Sequence, residues 1–297
     1  VEVNESTTVF ESHRPALVRL AYRMLGDLGR AQDIVQDAWL RWQRLEAPVD
    51  SPKALLTKMV TRQCLNELGS ARARREESRS NRLPEPVQED AEGDAQGDPV
   101  ERADQISMAF LVLLQRLTPP ERAALLLHDV FDFGHEEVAK LLEKTVPACR
   151  QLLSRARRHV AAERRSFSTS REEHLRLLRA YLLATRTGNV DAIASLLTDD
   201  AVLITDGGPE GVTVGGVRNL QHPVSGARRV ATAIAALSQR GAGLERREWT
   251  VNGQPALVAF LNGRPVFVVL LAVTNGRIGS IFIHADPARL SHLGSMQ

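Results

Sequence analysis

Aromatic side chains make up only 4% of this 297-residue chain, so Trp39 and Trp42, close together on one short segment, stand out against the background. Cysteine is scarcer still. Cys64 and Cys149 are far apart and lack metal-ligand spacing, which excludes a disulfide scaffold or a cysteine zinc site and leaves two buried free thiols in a reducing cytosol as the expectation. Net charge is also nearly missing, at +2, so the chain as a whole is not a general binder of polyanions. No apolar run is long enough to span a bilayer, and the first residues lack a charged leader followed by an apolar core, so neither membrane insertion nor a signal peptide is expected. What is present is the balance of a soluble globular protein, 43% hydrophobic and 25% charged, with a length that suits two or three domains.

The most informative stretch runs from Thr118 to Val160. Thr118-Pro119-Pro120-Glu121 has the form of a helix start, with a Thr N-cap, prolines in the first turn and a Glu placed to close a capping box. Ala123–Val130 and His135–Leu142 read as two short helices. After the break Glu143-Lys144-Thr145, a third helix puts Val146, Cys149, Leu152, Leu153, Ala156 and Val160 on one side. Its other side carries Arg150, Gln151, Ser154, Arg155, Arg157 and Arg158. A short helix, a tight turn and a helix with a basic outer face predict a helix-turn-helix whose last helix fits a DNA major groove. An ordinary helical hairpin with a solvated basic face would show the same pattern.

Upstream, Phe10–Leu25 and Arg30–Leu45 read as amphipathic helices. The second has Ala31, Ile34, Val35, Ala38 and Leu45 inward, and Asp33, Gln36, Asp37, Trp39, Arg41 and Trp42 on an outer face that is either a docking surface or, for the tryptophans, core. A third helix starts at Pro52, capped by Ser51, and runs into Arg72, Arg74 and Arg75. Lys58, Arg62 and Asn66 recur at intervals of four along it, a row that suits a nucleic-acid strand or a solvated face equally well.

Periodicity lapses between Glu76 and Asp104, where Leu83-Pro84-Glu85-Pro86 is stiff and the acidic run Glu89, Asp90, Glu92, Asp94 and Asp98 predicts a mobile linker. That run is either plain solvation or a nucleic-acid mimic. Ile106–Leu117 supplies one more helix. Past Ser166–Ser170 come helices at Glu172–Thr185 and Val190–Leu197, strands at Ala201–Thr205 and Val212–Val217, and a helix at Ser225–Leu237. Four strands follow, Glu245–Val251, Ala256–Leu261, Pro265–Thr274 and Arg277–His284, with Asn-Gly pairs at 252–253, 262–263 and 275–276 as hairpin turns. The expected architecture is multi-domain: two all-α domains followed by an α+β cone.

Together the first bundle and the helix-turn-helix resemble bacterial RNA polymerase sigma factors of the extracytoplasmic-function group, over residues from about Phe10 to Glu163. Ala31-Gln32-Asp33-Ile34-Val35-Gln36-Asp37-Ala38-Trp39-Leu40-Arg41 is similar to the region-two helix that docks on the clamp helices of the polymerase β′ subunit. The helix from Pro52 to Arg75 resembles the part that melts and reads the minus-ten element, and Leu117 through Arg158 resembles region four, which reads the minus-thirty-five element. The last third resembles the SnoaL-like, NTF2-like cone that some of these factors carry. Leu83-Pro84-Glu85-Pro86, Asp206-Gly207-Gly208 and Asp286-Pro287-Ala288-Arg289-Leu290 match that subgroup's motifs fully or in part. The resemblance implies domains at 1–75 (region two), 76–104 (acidic linker), 105–165 (region four) and 171–291 (regulatory cone). It implies regulatory contacts at Leu83, Pro84, Glu85, Pro86, Asp206, Asp286, Pro287, Arg289 and Leu290.

The expected partners are core polymerase and promoter DNA, with an unidentified small ligand in the cone as a further candidate; no cofactor, metal or membrane is expected. The expected location is the cytoplasm. Two alternatives stay open: a one-component helix-turn-helix regulator with a ligand-sensing cone, and an isomerase-like enzyme in the cone with Asp206 or His284 as its base. Asp206 sits in a Gly-Gly turn, where an Asx role is common, and His284, at a strand end, is expected to be a satisfied structural histidine.

Overall fold

The computed structural model describes residues 2–45, 49–70, 82–88, 107–164, 169–208, 220, 222–240 and 243–294. Its contacts divide the chain into two compact units, residues 1–76 with 113–162 and residues 77–112 with 163–297.

The first unit contains α1 (Glu2–Leu25), α2 (Leu28–Trp42), α3 (Pro52–Gly69), α5 (Pro119–Asp129), α6 (His135–Leu141) and α7 (Val146–Arg164); α4 (Met108–Gln115) leads into α5. The caps are those the sequence predicts. Ser51 Oγ accepts from Ala54 N at 3.3 Å, and the Glu121 carboxylate accepts from Thr118 N at 3.2 Å and Thr118 Oγ1 at 2.7 Å. Phe10, Leu17, Leu20, Ala21 and Met24 of α1 are buried with Val35 and Ala38 of α2 and Leu56, Val60 and Cys64 of α3. Both cysteines are free and buried, and burial pushes the Cys64 thiol up to about 12, so neither is a ready nucleophile. The two helical regions pack on one another within this unit. Buried Arg122 of α5 donates to the Met24 carbonyl at the end of α1, and to the carbonyls of Gln115 (3.1 Å) and Leu117 (3.4 Å). One cation thereby satisfies carbonyls left open at two helix ends.

One face assignment is corrected. Trp42 does not lie on the outside of α2: it is buried, and its Nε1 donates to the Ser6 carbonyl at 3.0 Å. Ala31, Val35, Ala38 and Trp42 recur at four, three and four residues, which is the helical stripe that faces α1. Leu45, expected inside, lies beyond the C-cap Gln43 and is exposed.

The second unit is α+β. After α8 (Arg171–Thr187) and α9 (Val190–Ser195) comes a six-stranded sheet: β1 (Leu197–Asp206), β2 (Val224–Ser225), β3 (Glu245–Val251), β4 (Gln254–Leu261), β5 (Arg264–Thr274) and β6 (Arg277–His284). The helix α10 (Ala227–Arg240) is inserted before β3, and α11 (Pro287–Leu290) closes the described chain. The sheet order is β2-β1-β6-β5-β4-β3, with β1 parallel to β6 and the other neighbours antiparallel. All three predicted hairpins are present. Asn252, Asn262 and Asn275 take φ of 50°, 52° and 51°, each followed by a Gly at positive φ, the left-handed pair that a two-residue turn needs. The strand expected at Val212–Val217 lies outside the described residues.

Each face of the sheet is covered by different material. On one, Leu203, Leu257, Val269, Leu271 and Ile281 pack under Leu178 and Tyr181 of α8 and Val230 and Ile234 of α10. On the other, Val258, Phe260, Val268, Leu270 and Phe282 are covered by Leu83, by Met108 and Ala109 of α4, and by Leu290 and Leu293. The segment expected to be a mobile linker is therefore partly a layer of this unit. Leu83, Pro84, Glu85 and Pro86 are all buried, because their apolar surface has a sheet face to cover. The acidic run from Glu89 to Asp98 lies outside the described residues.

Candidate nucleic-acid and polymerase interface

Three surfaces of the first unit carry the predicted site residues. On α2, Asp33, Gln36, Asp37 and Arg41 are exposed together with Leu40, while Trp39 is half-buried against the Phe10 ring at a centroid distance of 4.8 Å. Leu40 was missed from sequence because a single outward leucine is ordinary. Beside the carboxylates of Asp33 and Asp37 it gives the face an apolar centre with an acidic rim. Gln63 of α3, with its amide oriented by its neighbours, donates to the Ile34 carbonyl at 3.0 Å and accepts from Arg41 at 3.2 Å.

On α3, Lys58, Arg62 and Asn66 form one row as predicted, with Arg62 and Asn66 exposed. Lys58 Nζ and Arg62 Nη1 stand 3.2 and 3.5 Å from Glu143 Oε1. These two contacts, rather than burial, hold the Glu143 carboxyl below the usual range, the Lys58 hydrogen bond first and the Arg62 charge second. Arg72, Arg74 and Arg75 lie outside the described residues.

On α7 all six predicted residues are exposed, but they are not equivalent. Arg155 Nε is 3.0 Å from Glu121 Oε1, and Arg157 Nε donates to Asp129 Oδ2 at 3.0 Å. Burial would raise the Asp129 carboxyl, but the bonds from Arg157 and His128 outweigh it and keep it below the usual carboxylate range. Those two arginines brace the helix-turn-helix. Arg150, Ser154 and Arg158 instead line, with Arg157 and His135 of α6, an open basin of about 430 Å³ along the outer side of α7. His135 stacks on His128 with centroids 4.4 Å apart. Partial desolvation and then the neighbouring His128, Arg150 and Arg157 lower its pKa, so at neutral pH it presents a neutral, stackable ring among cations. Sequence gave no reason to include it, since its neighbours come from two other helices.

In the second unit the predicted regulatory residues converge. Asp206 Oδ2 accepts from Leu83 N at 3.0 Å and from Arg289 Nη1 at 2.9 Å, and Arg289 Nη1 also donates to the Leu83 carbonyl at 2.5 Å. All three residues are buried. Asp286 caps α11 through Ala288 N at 3.1 Å, and Pro287 fills the first helical position. Gly208 is required beside it: a Cβ there would come within 2.8 Å of the Asp286 carboxylate, at a φ of +76° that already favours Gly. Residues the sequence did not suggest complete the cluster. His292 Nδ1 lies 3.1 Å from Glu85 Oε1 and its Nε2 is 2.8 Å from the Pro86 carbonyl. Asn252 exchanges two hydrogen bonds with Val87, and Gln254 Oε1 accepts from Met108 N at 3.1 Å.

This geometry also bears on the isomerase alternative. Asp206 is committed to an arginine and a backbone amide on the sheet face that the linker covers, so it is not a general base facing a substrate cavity. It also keeps the turn bond to Gly208 N at 3.0 Å. His284, expected to be satisfied, is buried with no partner for Nε2 among the described residues, and burial followed by the Arg289 charge drives its pKa well down. A neutral histidine in this buried layer fits both facts.

A three-helix bundle, a helix-turn-helix with a basic basin, and an α+β unit that captures the segment between them define a DNA-binding transcription protein with an appended α+β domain. Comparison with known proteins makes this specific. Residues 9–74 match sigma-70 region 2 and residues 107–160 match sigma-70 region 4. A probable ECF RNA polymerase sigma factor of Mycobacterium tuberculosis, SigI, is 32% identical over 97% of this chain and 95% of its own length. SigJ of the same organism is 33% identical over 98% and 94%. The crystal structure of M. tuberculosis SigJ superposes with a TM-score of 0.73 at 30% identity, covering 96% of this chain and 98% of that one. The chain belongs to the extracytoplasmic-function family of RNA polymerase sigma factors, which are transcription initiation factors and not enzymes. The match to region 2 also gives the first bundle a task that a one-component regulator would leave unassigned.

Proposed function

We propose that this chain docks on core RNA polymerase through the exposed face of α2, reads minus-thirty-five duplex with α7, and captures the melted minus-ten strand on the α3 row. As a sigma factor it binds core polymerase and promoter DNA, and it works in the cytoplasm, where they meet. The observation that carries the reading is the sorting of the basic side chains. On α7, Arg150 and Arg158 border an open basin that Arg157 also lines, but Arg157 is held by Asp129 as Arg155 is by Glu121, so the first pair contacts bases and phosphates and the second holds the reading helix in place. On α3 the row points two cations and an amide away from the core, as a strand without a partner duplex requires.

The domain plan follows as region two at 1–75, a linker at 76–104, region four at 105–165 and a regulatory cone at 171–291. The chain between the two sigma regions is pinned on the cone at Leu83–Gln88 and again at Met108, which supports control in cis through that segment. Permanganate footprinting of promoter DNA with core polymerase and the full chain tests the reading. Unpaired thymines near minus ten should react with wild type and fade with Arg62→Ala plus Asn66→Ala, while core binding persists. Undiminished melting by that double variant would remove the α3 row from the mechanism.

A further inference from the structure

The row on α3 is already occupied by an anion, and that anion belongs to the chain itself. Glu143 lies in the tight turn between α6 and α7, where its φ of +53° is a left-handed conformation that glycine adopts freely and glutamate does not. A non-glycine residue held there, in the turn of a helix-turn-helix, needs a reason beyond chain reversal. Its carboxylate supplies one, by reaching back across the unit to lie 3.2 Å from Lys58 Nζ and 3.5 Å from Arg62 Nη1. A second contact points the same way. At the start of α3, Lys53 lies 5.1 Å over the ring of Phe133, in the loop that precedes α6. Residues of region four thus engage both the entrance and the centre of the strand-capturing row.

Size shows what this arrangement excludes. Elements at minus ten and minus thirty-five are about 25 base pairs apart, or about 85 Å along B-form DNA. A compact unit of on the order of 130 residues is about 35 Å across. The two regions cannot read both elements while packed together, so promoter engagement requires them to part, and the contacts that join them oppose it.

We propose that Glu143 is a surrogate phosphate: it fills the Lys58–Arg62 fork in the compact form and is displaced there by a phosphate of the melted promoter strand. The proposal rests on the assignment of strand capture to α3 made above. It makes the fork a single anion site used by two occupants in turn, one from the protein and one from DNA. Opening is then driven by the ligand that needs it, and duplex reading on the outer face of α7 is not what the clasp blocks.

The test uses the full chain and two fluorescein-labelled probes, a mixed-sequence single-stranded 20-mer and the matching duplex, in low salt with anisotropy readout. Glu143→Gln should tighten binding of the single strand by about threefold to tenfold, the effect of removing two exposed ion pairs, while duplex affinity changes by less than about twofold. Glu143→Gly should do the same without backbone strain, which guards against a folding defect. In a Lys58→Gln plus Arg62→Gln background the gain should vanish. Equal tightening on both probes would reduce the effect to a change in net charge, and an unchanged single-strand affinity, or a gain that survives loss of the fork, would also overturn the proposal. Run-off transcription by wild type with core polymerase is a separate arm, whose failure would strike the sigma assignment and leave the clasp result standing.

Discussion

Replacing Arg289 by Met should release the segment around Leu83 from the cone without unfolding the sheet. Arg289 Nη1 is held between the Asp206 carboxylate at 2.9 Å and the Leu83 carbonyl at 2.5 Å, with the Asp206 and Arg289 side chains only 4% and 7% exposed. Removing one member of a buried pair leaves the other charge without its partner, at a cost of about 3–5 kcal/mol. The Leu83 carbonyl loses its donor as well, worth about 1 kcal/mol more. That penalty can be escaped locally, since undocking Leu83–Gln88 returns the Asp206 carboxylate to water, whereas the β4–β5–β6 ladder does not depend on it. Amide hydrogen exchange of the full chain is the assay. In Arg289→Met the amides of Leu83 and Val87, bonded to Asp206 and Asn252, should lose about three to four orders of magnitude of protection, while Val269 and Leu271 keep theirs. Asp206→Asn combined with Arg289→Met should recover part of the loss, because a neutral pair leaves no buried charge. A uniform loss across sheet and segment, or none anywhere, would refute the view that this triad is a local latch.

The same latch should depend on pH. His292 places one ring nitrogen on a carboxylate and the other on a carbonyl, an arrangement that needs both N–H groups; the Glu85 bond first, with the Pro86 carbonyl and the Glu85 charge, raises its pKa against the opposing effect of burial. Its contribution to docking is therefore complete below the unfolded value near 6.5 and is lost as pH rises through the raised folded value, so protection of Val87 should fall as pH rises above about 6.5 and His292→Gln should flatten the dependence. On α7, Arg158→Ala should weaken duplex binding and lower the salt slope by about 1, whereas Arg157→Ala should mainly cost stability, by up to about 1 kcal/mol, seen as a lower Tm. Trp42→Ala should destabilise the first unit by about 3–5 kcal/mol with little specific effect on polymerase affinity, and Leu40→Ala should do the reverse in a core-binding titration with Tm unchanged.

Local chemistry was readable in the sequence. The Asn-Gly turns, the Ser51 and Thr118 caps and the basic side of α7 each follow from a few adjacent residues, and the structure keeps them all. Misreadings came where one side chain decides a face. Trp42 looked like surface beside Arg41, yet the spacing from Ala31 and Val35 turns it inward. Long-range partners were not readable. Leu83 meets Asp206 and Arg289 from 123 and 206 positions away, and Glu143 meets Arg62 across 81, so an acidic, proline-bearing segment read as solvated linker while its apolar residues covered a sheet. His292 and Glu143 were invisible for the same reason: nothing near either in sequence marks it as a clasp.

The central claim is that this chain directs initiation, and run-off transcription by bacterial core polymerase over a library of genomic promoter fragments tests it most directly. The account predicts transcripts with discrete start sites that appear only when the full chain is added, and that disappear with Arg62→Ala plus Asn66→Ala although the polymerase complex still forms. Duplex binding by the chain with no initiation from any fragment, and no complex with core polymerase, would contradict it.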